Sequence, residues 1–144
     1  MIHLWLFDLA VLISVLMHEF GHVLACWLSK TAIKKVTIGY GNVIVNVKKL
    51  EIRLVPIAGK VELLNDASSP FKGVFIALSG FFFQFFLVFL LVVTHVARSN
   101  VELFSYLIIV TLLQSYVLLP IGKNDGRVAL VYALDFYRKL QGTK

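Results

Sequence analysis

Long apolar stretches alternate with short polar ones along the chain, and three of the apolar stretches are long enough to cross a membrane. A spanning helix needs about 20 mostly apolar residues. Residues 4–28 and 74–97 meet this requirement, and residues 103–119 meet it marginally before Pro120 interrupts the pattern. A helical pattern then resumes beyond the break. The pattern therefore predicts two continuous spanning helices and a broken third helix over residues 103–140.

A different pattern separates the first two spans. Residues 36–64 are rich in valine and isoleucine, alternate partly between apolar and polar positions, and include Gly39, Gly41, Pro56 and Gly59. This combination is typical of short strands joined by tight turns. We therefore expect three or four β-strands here, and the predicted fold class is a mainly α membrane protein with a three-transmembrane-helix core and a small β-sheet between the first two helices.

The composition indicates that lipid is the solvent for much of the chain. The 144 residues, enough for a single domain, are 59% hydrophobic and 15% charged. Soluble domains have about 45–50% apolar and about 25% charged residues. We therefore expect one integral membrane domain that extends over residues 1–144.

Positive charge is concentrated beside the apolar spans. The net charge is +6, residues 30–72 carry eight lysines and arginines, and residues 1–29 carry none. The basic residues are not interleaved with solvent-facing aromatic residues, which argues against nucleic acid and for a lipid bilayer as the partner. By the positive-inside rule, the β-rich segment and the C-terminus are expected in the cytoplasm, and the N-terminus outside.

The stretch HEFGH within the first span carries the strongest chemical signal. On a helix, His18 and His22 are one turn apart and about 40° apart around the axis, so both can present a ring nitrogen to one metal ion. Glu19 is rotated about 100° from His18, which suits a general base better than a ligand of the same ion. Each of these ionisable groups would cost about 2–3 kcal/mol or more if left unpaired in lipid. The pattern predicts a catalytic zinc site.

The third zinc ligand has to come from another part of the chain. Cys26 continues the spacing of the histidines, but it would lie about 6 Å along the helix axis from His22 and about 12 Å from His18, which is too far. Asp125 is the better candidate because it follows the break LLPIGKNDGR. Non-helical backbone at membrane depth is tolerated only where it is buried in protein or lines a wet cavity. Asp125 could also cap the helix that follows, and the two roles are compatible.

With these residues placed, the chain resembles the site-2 protease family of intramembrane zinc metalloproteases, in particular bacterial members related to the sporulation factor protease. HEFGH is similar to the first motif of that family. Pro120 followed by Asp125 and Gly126 is similar to its third motif, and IGYG with RLVPIAGKVEL resembles its membrane-associated β-sheet. The resemblance covers nearly the whole chain.

The resemblance implies a function for each matching residue. His18, His22 and Asp125 would bind one zinc ion, and Glu19 would be the general base. The substrate would be a membrane protein or a membrane-associated peptide, cleaved in or near a transmembrane segment, and a bacterial cell membrane would be the location. The identity of the substrate and the presence of a regulatory partner stay open.

The chain departs from the family pattern in two motifs. Phe81 and Gln84 replace the proline and the asparagine of a motif in the second helix, and Val117 replaces an asparagine of the third motif. Gln84 or Gln114 could supply a substitute amide that binds substrate, or either could form a hydrogen bond between packed helices. Gly80 and Gln84, one turn apart, could also mark where the second helix approaches the metal-bearing helix.

Three functions compete on the sequence alone. The first is an intramembrane zinc endopeptidase, in which the β-rich segment would pair with an unwound substrate strand. The second is a metal transporter, which would need polar residues along a path through several helices. The third is a catalytically silent membrane scaffold, in which Glu19 would have no use.

Overall fold

A computed structural model of the chain describes residues 4–94, 100–122 and 124–142. These residues form four α-helices, one 3₁₀ turn and two β-strands. In chain order, the elements are α1 (Leu4–Leu28), β1 (Ile33–Val47), β2 (Leu50–Leu63), α2 (Pro70–Val93), α3 (Val101–Gln114), the 3₁₀ turn (Ser115–Leu118) and α4 (Asp125–Leu140).

Three of the helical segments are long and apolar enough to cross a membrane. They are α1, α2, and α3 together with the 3₁₀ turn, which form one 18-residue segment over Val101–Leu118. α1 has the range expected for the first span. α2 begins at Pro70, four residues earlier than expected, because Ser69 caps it: the Ser69 hydroxyl accepts the backbone N–H of Lys72 at 3.3 Å. Residues 95–97 of the expected second span lie outside the described residues.

The third helix is broken, as the sequence pattern indicates. α3 ends at Gln114, tightens into the 3₁₀ turn and becomes extended at Leu119. α4 then begins at Asp125, after an N-cap at Asn124 whose side-chain oxygen accepts the backbone N–H of Arg127 at 3.1 Å. The side-chain amide of Asn124 also donates to the Leu119 carbonyl at 2.6 Å, so the loop between the helices is tied at both ends.

The β-rich segment forms a sheet of two antiparallel strands, so the expectation of three or four separate strands is wrong. The strands are long and bent instead. Residues 36–38 pair with residues 59–61 on one side and with residues 50–52 on the other, while residues 43–47 pair with residues 50–53. The bend in β1 occurs near Gly39 and Gly41, which have φ angles of 93° and 84°. Four short paired stretches therefore lie side by side without a break in either strand.

An ion-pair cluster fastens the sheet at its first bend. Glu51 is 4% exposed, and its carboxylate accepts hydrogen bonds from Lys35 Nζ and Arg53 Nε, both at 2.7 Å. These hydrogen bonds hold the pKa of Glu51 below its ordinary value. The carboxylate therefore stays charged and keeps residues 33–38 beside residues 50–53.

α1 is the central element of the fold. Near its N-terminal end, Ala10 packs with Leu107 and Val110 of α3, and near its C-terminal end Ala25 and Cys26 pack with Ile76 of α2. Between these two clusters the helices α1 and α2 cross closely, since a Cβ atom added to Gly21 would be 2.9 Å from the Gly80 Cα atom. The middle of α1, which carries the HEFGH stretch, is thereby held against α2.

Candidate metal centre

The structure brings the three expected metal ligands together. His18 Nε2 and His22 Nε2 are 3.2 Å apart, and Asp125 Oδ2 is 2.9 Å from the former and 3.2 Å from the latter. The three residues come from α1 and from the first residue of α4, 103 positions further along the chain. Their donor atoms all point to one small volume, which is the arrangement of a possible metal-binding group.

The neighbours of Asp125 in the chain direct its carboxylate toward α1. Asn124, not Asp125, caps α4, so the capping role considered for Asp125 belongs to the preceding residue. Gly126 packs against the end of the 3₁₀ turn so closely that an added Cβ atom would be 2.2 Å from the Leu118 carbonyl oxygen. Asp125 is thus the ligand candidate, and Gly126 is small enough to let the start of α4 pack directly against the end of the 3₁₀ turn.

The spacing of the donor atoms fits zinc. With Zn–N and Zn–O distances of about 2.0–2.1 Å, tetrahedral ligand atoms are about 3.3 Å apart. The three distances among His18, His22 and Asp125, from 2.9 to 3.2 Å, are close to this value. Two imidazoles and one carboxylate are also a ligand set used by catalytic zinc sites.

The proton on His22 gives a second argument for a cation. His22 Nδ1 is 2.7 Å from the backbone carbonyl of Ile76, which can only accept, so Nδ1 carries a hydrogen. In neutral His22 the Nε2 atom then bears a lone pair, and this lone pair faces the Asp125 carboxylate oxygen at 3.2 Å. Two acceptors that face each other need either a shared proton or a metal cation between them, and one metal ion would satisfy His18, His22 and Asp125 at once. The residues present therefore fit zinc.

Glu19 lies beside the metal-binding group without belonging to it. Its side chain is 5% exposed, and within the described residues its Oε2 atom has no hydrogen-bond partner. Gly59 of β2 covers it, since an added Cβ atom there would be 2.4 Å from Glu19 Cγ. A buried carboxylate without a partner is costly, which is a frequent property of functional sites.

The backbone of α2 forms the wall behind the two histidines. A Cβ atom added to Gly80 would be 2.5 Å from His22 Nε2 and 2.8 Å from His18 Nε2. The sequence-based interpretation that Gly80 marks the approach of α2 to the metal-bearing helix is confirmed. No larger residue fits at this position without displacing an imidazole.

A cavity of about 470 Å³ opens onto the metal-binding group. Residues of α1, β2, α2, the 3₁₀ turn and α4 line it, and they include His18, Glu19, His22 and Asp125. The volume lies in the range of about 300–1,000 Å³ that is usual for ligand sites. The centre is therefore accessible to a reactant of substantial size.

The two glutamines named as substrate-binding candidates lie in different surroundings. Gln114 lines the cavity, as does Val117 at the position of the family asparagine. Gln84 is 2% exposed, and its amide nitrogen, which has two hydrogens to donate, lies within hydrogen-bond distance of Ser14, of Thr111 Oγ1 at 3.0 Å and of Gln114 Oε1 at 2.8 Å. Gln84 therefore joins three helices, and contact of either glutamine with substrate stays a prediction.

Some residues of the site carry no signal that sequence reasoning could use. The Ile76 carbonyl orients His22, but a backbone carbonyl is present at every position. Gly59 and Tyr132, which also lines the cavity, were not identified from the sequence. Tyr132 follows Asp125 by seven residues, a spacing that repeats one face of a helix and could have identified it.

The fold and the site together define a class of protein: a mainly helical chain with three membrane-spanning candidates and a His-His-Asp metal-binding group beside a buried glutamate. The sequence pattern of peptidase family M50 matches residues 6–140, and the chain belongs to this family, the site-2 protease family. No curated protein matches the chain. Family membership implies a protease, and together with the three apolar helices it indicates an integral membrane protein.

Proposed function

We propose that the chain is an intramembrane zinc metalloendopeptidase, which hydrolyses peptide bonds in or near the transmembrane segments of membrane-protein substrates. One observation carries the proposal: three donor atoms at tetrahedral spacing lie beside a buried glutamate that has an unpartnered oxygen. Membership of peptidase family M50 supports it. The proposed location is a bacterial cell membrane, with the N-terminus outside and the C-terminus in the cytoplasm.

The metal ligands would be His18, His22 and Asp125. Zinc bound there would polarise the carbonyl of the scissile peptide bond and activate a water molecule for attack on it. The Ile76 carbonyl holds His22 in the tautomer that leaves Nε2 free for the metal. Asp125 would contribute a negative charge, which would partly neutralise the ion in a low-dielectric site.

Glu19 would transfer the protons of the reaction. Glu19 is among the residues that line the cavity, and it is next to His18 in the chain. It would accept a proton from the attacking water and deliver it to the nitrogen of the leaving amine. The contact with Gly59 restricts the carboxylate to this place, so the base is positioned before substrate arrives.

The edge of β2 supports a way to present the substrate. A helical substrate hides its carbonyl groups in its own hydrogen bonds, so it has to unwind before hydrolysis. Residues 57–61 of β2 line the cavity, and residues 59–61 pair with β1 on one side only. An unwound substrate could therefore add to the other side as a further strand, next to Glu19.

The alternatives receive less support from the described residues. A metal transporter needs a polar path, and the polar side chains around Gln84 extend only one turn of α1 beyond His18, as far as Ser14. Beyond Ser14 the core is apolar, with Ala10 packed against Leu107. A silent scaffold would have no use for the unpartnered Oε2 atom of Glu19, whose burial is costly.

Substitution of the general base tests the proposal. In Glu19→Gln, cleavage of a co-expressed single-span substrate should fall by about 10²–10⁴-fold because the proton acceptor is lost. Zinc content should remain, because Glu19 is not a ligand. Substrate and product are measured by immunoblot, and zinc by elemental analysis of the purified protein.

The matched control is Asp135→Asn, which removes a carboxylate from an exposed pair with Lys139 in α4, and neither residue lines the cavity. This variant should cleave like the wild type. Cleavage that survives Glu19→Gln would contradict the mechanism, and loss of zinc from Glu19→Gln would show that Glu19 acts as a ligand.

A further inference from the structure

The helices α2 and α4 run side by side in opposite directions along the cavity. At one end, Gly80 of α2 touches the two histidines that face Asp125, the first residue of α4. At the other end, Gly73 of α2 touches the ring of Tyr132 in α4, where an added Cβ atom would be 2.3 Å from Tyr132 Cγ. The same seven-residue interval separates the two contacts on each helix. The helices therefore form two walls of a trough that begins at the metal-binding group.

The strand β2 forms a third wall with the same direction. Gly59 covers Glu19 at the metal end. Val61 and Leu63, further along the strand, pack beside Ala25 near the C-terminal end of α1. The strand therefore runs away from the metal-binding group toward the end where Gly73 meets Tyr132.

The length of the trough corresponds to a short stretch of extended peptide. Seven residues of helix rise about 10.5 Å. An extended chain advances about 3.3 Å per residue, so about three residues fit between the metal-binding group and Tyr132. In a substrate strand that follows β2, the residue two or three positions from the scissile bond would thus have its side chain at the far end of the trough, beside Tyr132.

Apolar groups line the trough beyond the metal-binding group. Ile76 and Ala77 contribute from α2, Val128 from α4 and Leu63 from β2. Ala77 has a small side chain, so it takes up little of the space along this wall. The lining is therefore suited to an apolar side chain.

Tyr132 closes the far end and is held at both ends of its side chain. Its ring lies against the backbone of Gly73, and its hydroxyl accepts the backbone N–H of Ala67 at 3.4 Å. Ala67 belongs to the segment that joins β2 to α2. Because neither end of the side chain is free, the ring forms a fixed wall.

We propose that this end of the trough is a specificity pocket for one apolar substrate side chain, two or three residues from the scissile bond, and that the Tyr132 ring limits the size of that side chain. The inference rests on the proposed peptidase function. Because the fixed Tyr132 ring ends the pocket, a side chain of about the size of leucine should fit and tryptophan should not. The pocket restricts the substrates to segments that are apolar next to the cleavage site.

Cleavage of a mixture of apolar peptides tests the pocket. The mixture is incubated in detergent with purified wild type, Tyr132→Ala and Tyr132→Phe, and the cleavage sites are read by mass spectrometry. In Tyr132→Ala the ratio of kcat/KM for tryptophan to that for leucine at one position should rise by about tenfold or more. Tyr132→Phe retains the ring and should keep the wild-type preference.

Binding gives a second measurement, independent of turnover. Fluorescent peptides with leucine or tryptophan at the selected position are titrated into Glu19→Gln and into Glu19→Gln with Tyr132→Ala, and anisotropy reports the Kd. Adding Tyr132→Ala should lower the Kd of the tryptophan peptide about tenfold relative to the Kd of the leucine peptide. Val128→Phe, at a half-exposed position of the same wall, should shift the preference toward peptides with smaller side chains. This variant keeps the test available if Tyr132→Ala does not fold.

The outcomes separate the pocket from the proposed function. If Tyr132→Ala changes the rates or affinities of all peptides equally, Tyr132 governs only general access and the pocket is overturned. If the wild type cleaves no peptide, or if cleavage survives Glu19→Gln, the peptidase proposal fails. The relative affinities of the two peptides then still decide whether the trough selects by size.

Discussion

At the metal-binding group, two glycines allow the backbones of other elements to reach the side chains of α1. Gly80 brings α2 against His18 and His22, and Gly59 brings β2 against Glu19. A side chain at either position would occupy space that an imidazole or the carboxylate now fills. The histidines and the glutamate are therefore positioned as much by missing side chains around them as by their own helix.

Substitution of Asp125 tests its assignment as the third metal ligand. Asp125→Ala removes one of the three donor atoms, so zinc affinity should fall by more than the roughly 10–100-fold typical for loss of a group that only hydrogen-bonds a ligand. The measurement is the zinc content of purified protein after dialysis against a chelator of graded strength.

Asp135→Ala is the matched control, because Asp135 is on the same helix and its exposed side chain pairs with Lys139. It should retain zinc like the wild type. Unchanged zinc content in Asp135→Ala and Asp125→Ala alike would show that Asp125 is not the third ligand.

At the scale of elements, a buried amide joins the three spanning segments. The Gln84 amide nitrogen in α2 lies within hydrogen-bond distance of Ser14 of α1 and of Thr111 and Gln114 of α3, and the Ser14 hydroxyl donates to Gln114 Oε1 at 2.9 Å. Ser14 is one turn of α1 from His18, and Gln114 is the last residue before the 3₁₀ turn. The cluster therefore fixes the end of α3 from which the chain returns to Asp125.

Gln84→Leu tests this cluster. It keeps the approximate volume but removes the amide donor near Ser14, Thr111 and Gln114, so that only the Ser14–Gln114 hydrogen bond of the cluster remains, and the unfolding free energy should fall by about 1–3 kcal/mol. In a membrane the loss falls toward the lower end of this range. Thermal unfolding in detergent micelles measures the change.

The control is Gln141→Leu, at an exposed glutamine that bonds Tyr137 just beyond α4. This substitution should leave stability within about 0.5 kcal/mol of the wild type. Equal stability of Gln84→Leu and the wild type would mean that the three helices are held by apolar packing alone.

The elements differ in how well the sequence predicts them. The spanning helices follow from long apolar runs, because lipid leaves the backbone few other conformations. The β-rich segment is recognisable from its composition, but the expected strand number is wrong because Gly39 and Gly41 bend β1 without ending it. A glycine with a positive φ angle permits either a bend or a turn, and only pairing with distant residues decides between them.

At the scale of the whole molecule, the site depends on residues far apart in the chain. His18, Glu19 and His22 are recognisable from their helical spacing, and Asp125 from the backbone break before α4. The closure of the site by Ile76, Gly59 and Gly80 depends on how α2 and β2 pack on α1. Local sequence carries little information about such contacts, so the cavity and its far wall are apparent only in the assembled structure.

The orientation in the membrane is a whole-molecule prediction. In a Cys26→Ala background, single cysteines are introduced at Lys49 in the exposed turn of the sheet and at Val101, the exposed first residue of α3. The excess of lysine and arginine in residues 30–72 predicts a cytoplasmic sheet. A membrane-impermeant maleimide should therefore label Val101→Cys in intact cells.

Lys49→Cys should be labelled only after permeabilisation, and Leu140→Cys at the end of α4 should behave in the same way. The reverse pattern would invert the orientation. Labelling of all three positions in intact cells would mean that the reagent crosses the membrane. A cytoplasmic marker protein of the host, which should stay unlabelled in intact cells, is the control for this leakage.

The hydrogen bond from His22 to the Ile76 carbonyl has a mechanical consequence. α2 provides none of the three metal-binding side chains, yet a shift of α2 by one residue, about 1.5 Å, would move the acceptor away from the Nδ1 proton. If the centre binds zinc as proposed, its affinity for the metal would therefore depend on the axial position of α2. Bilayer thickness acts on the position of a spanning helix through hydrophobic mismatch, so the surrounding lipid would influence how well the ligands are held in place.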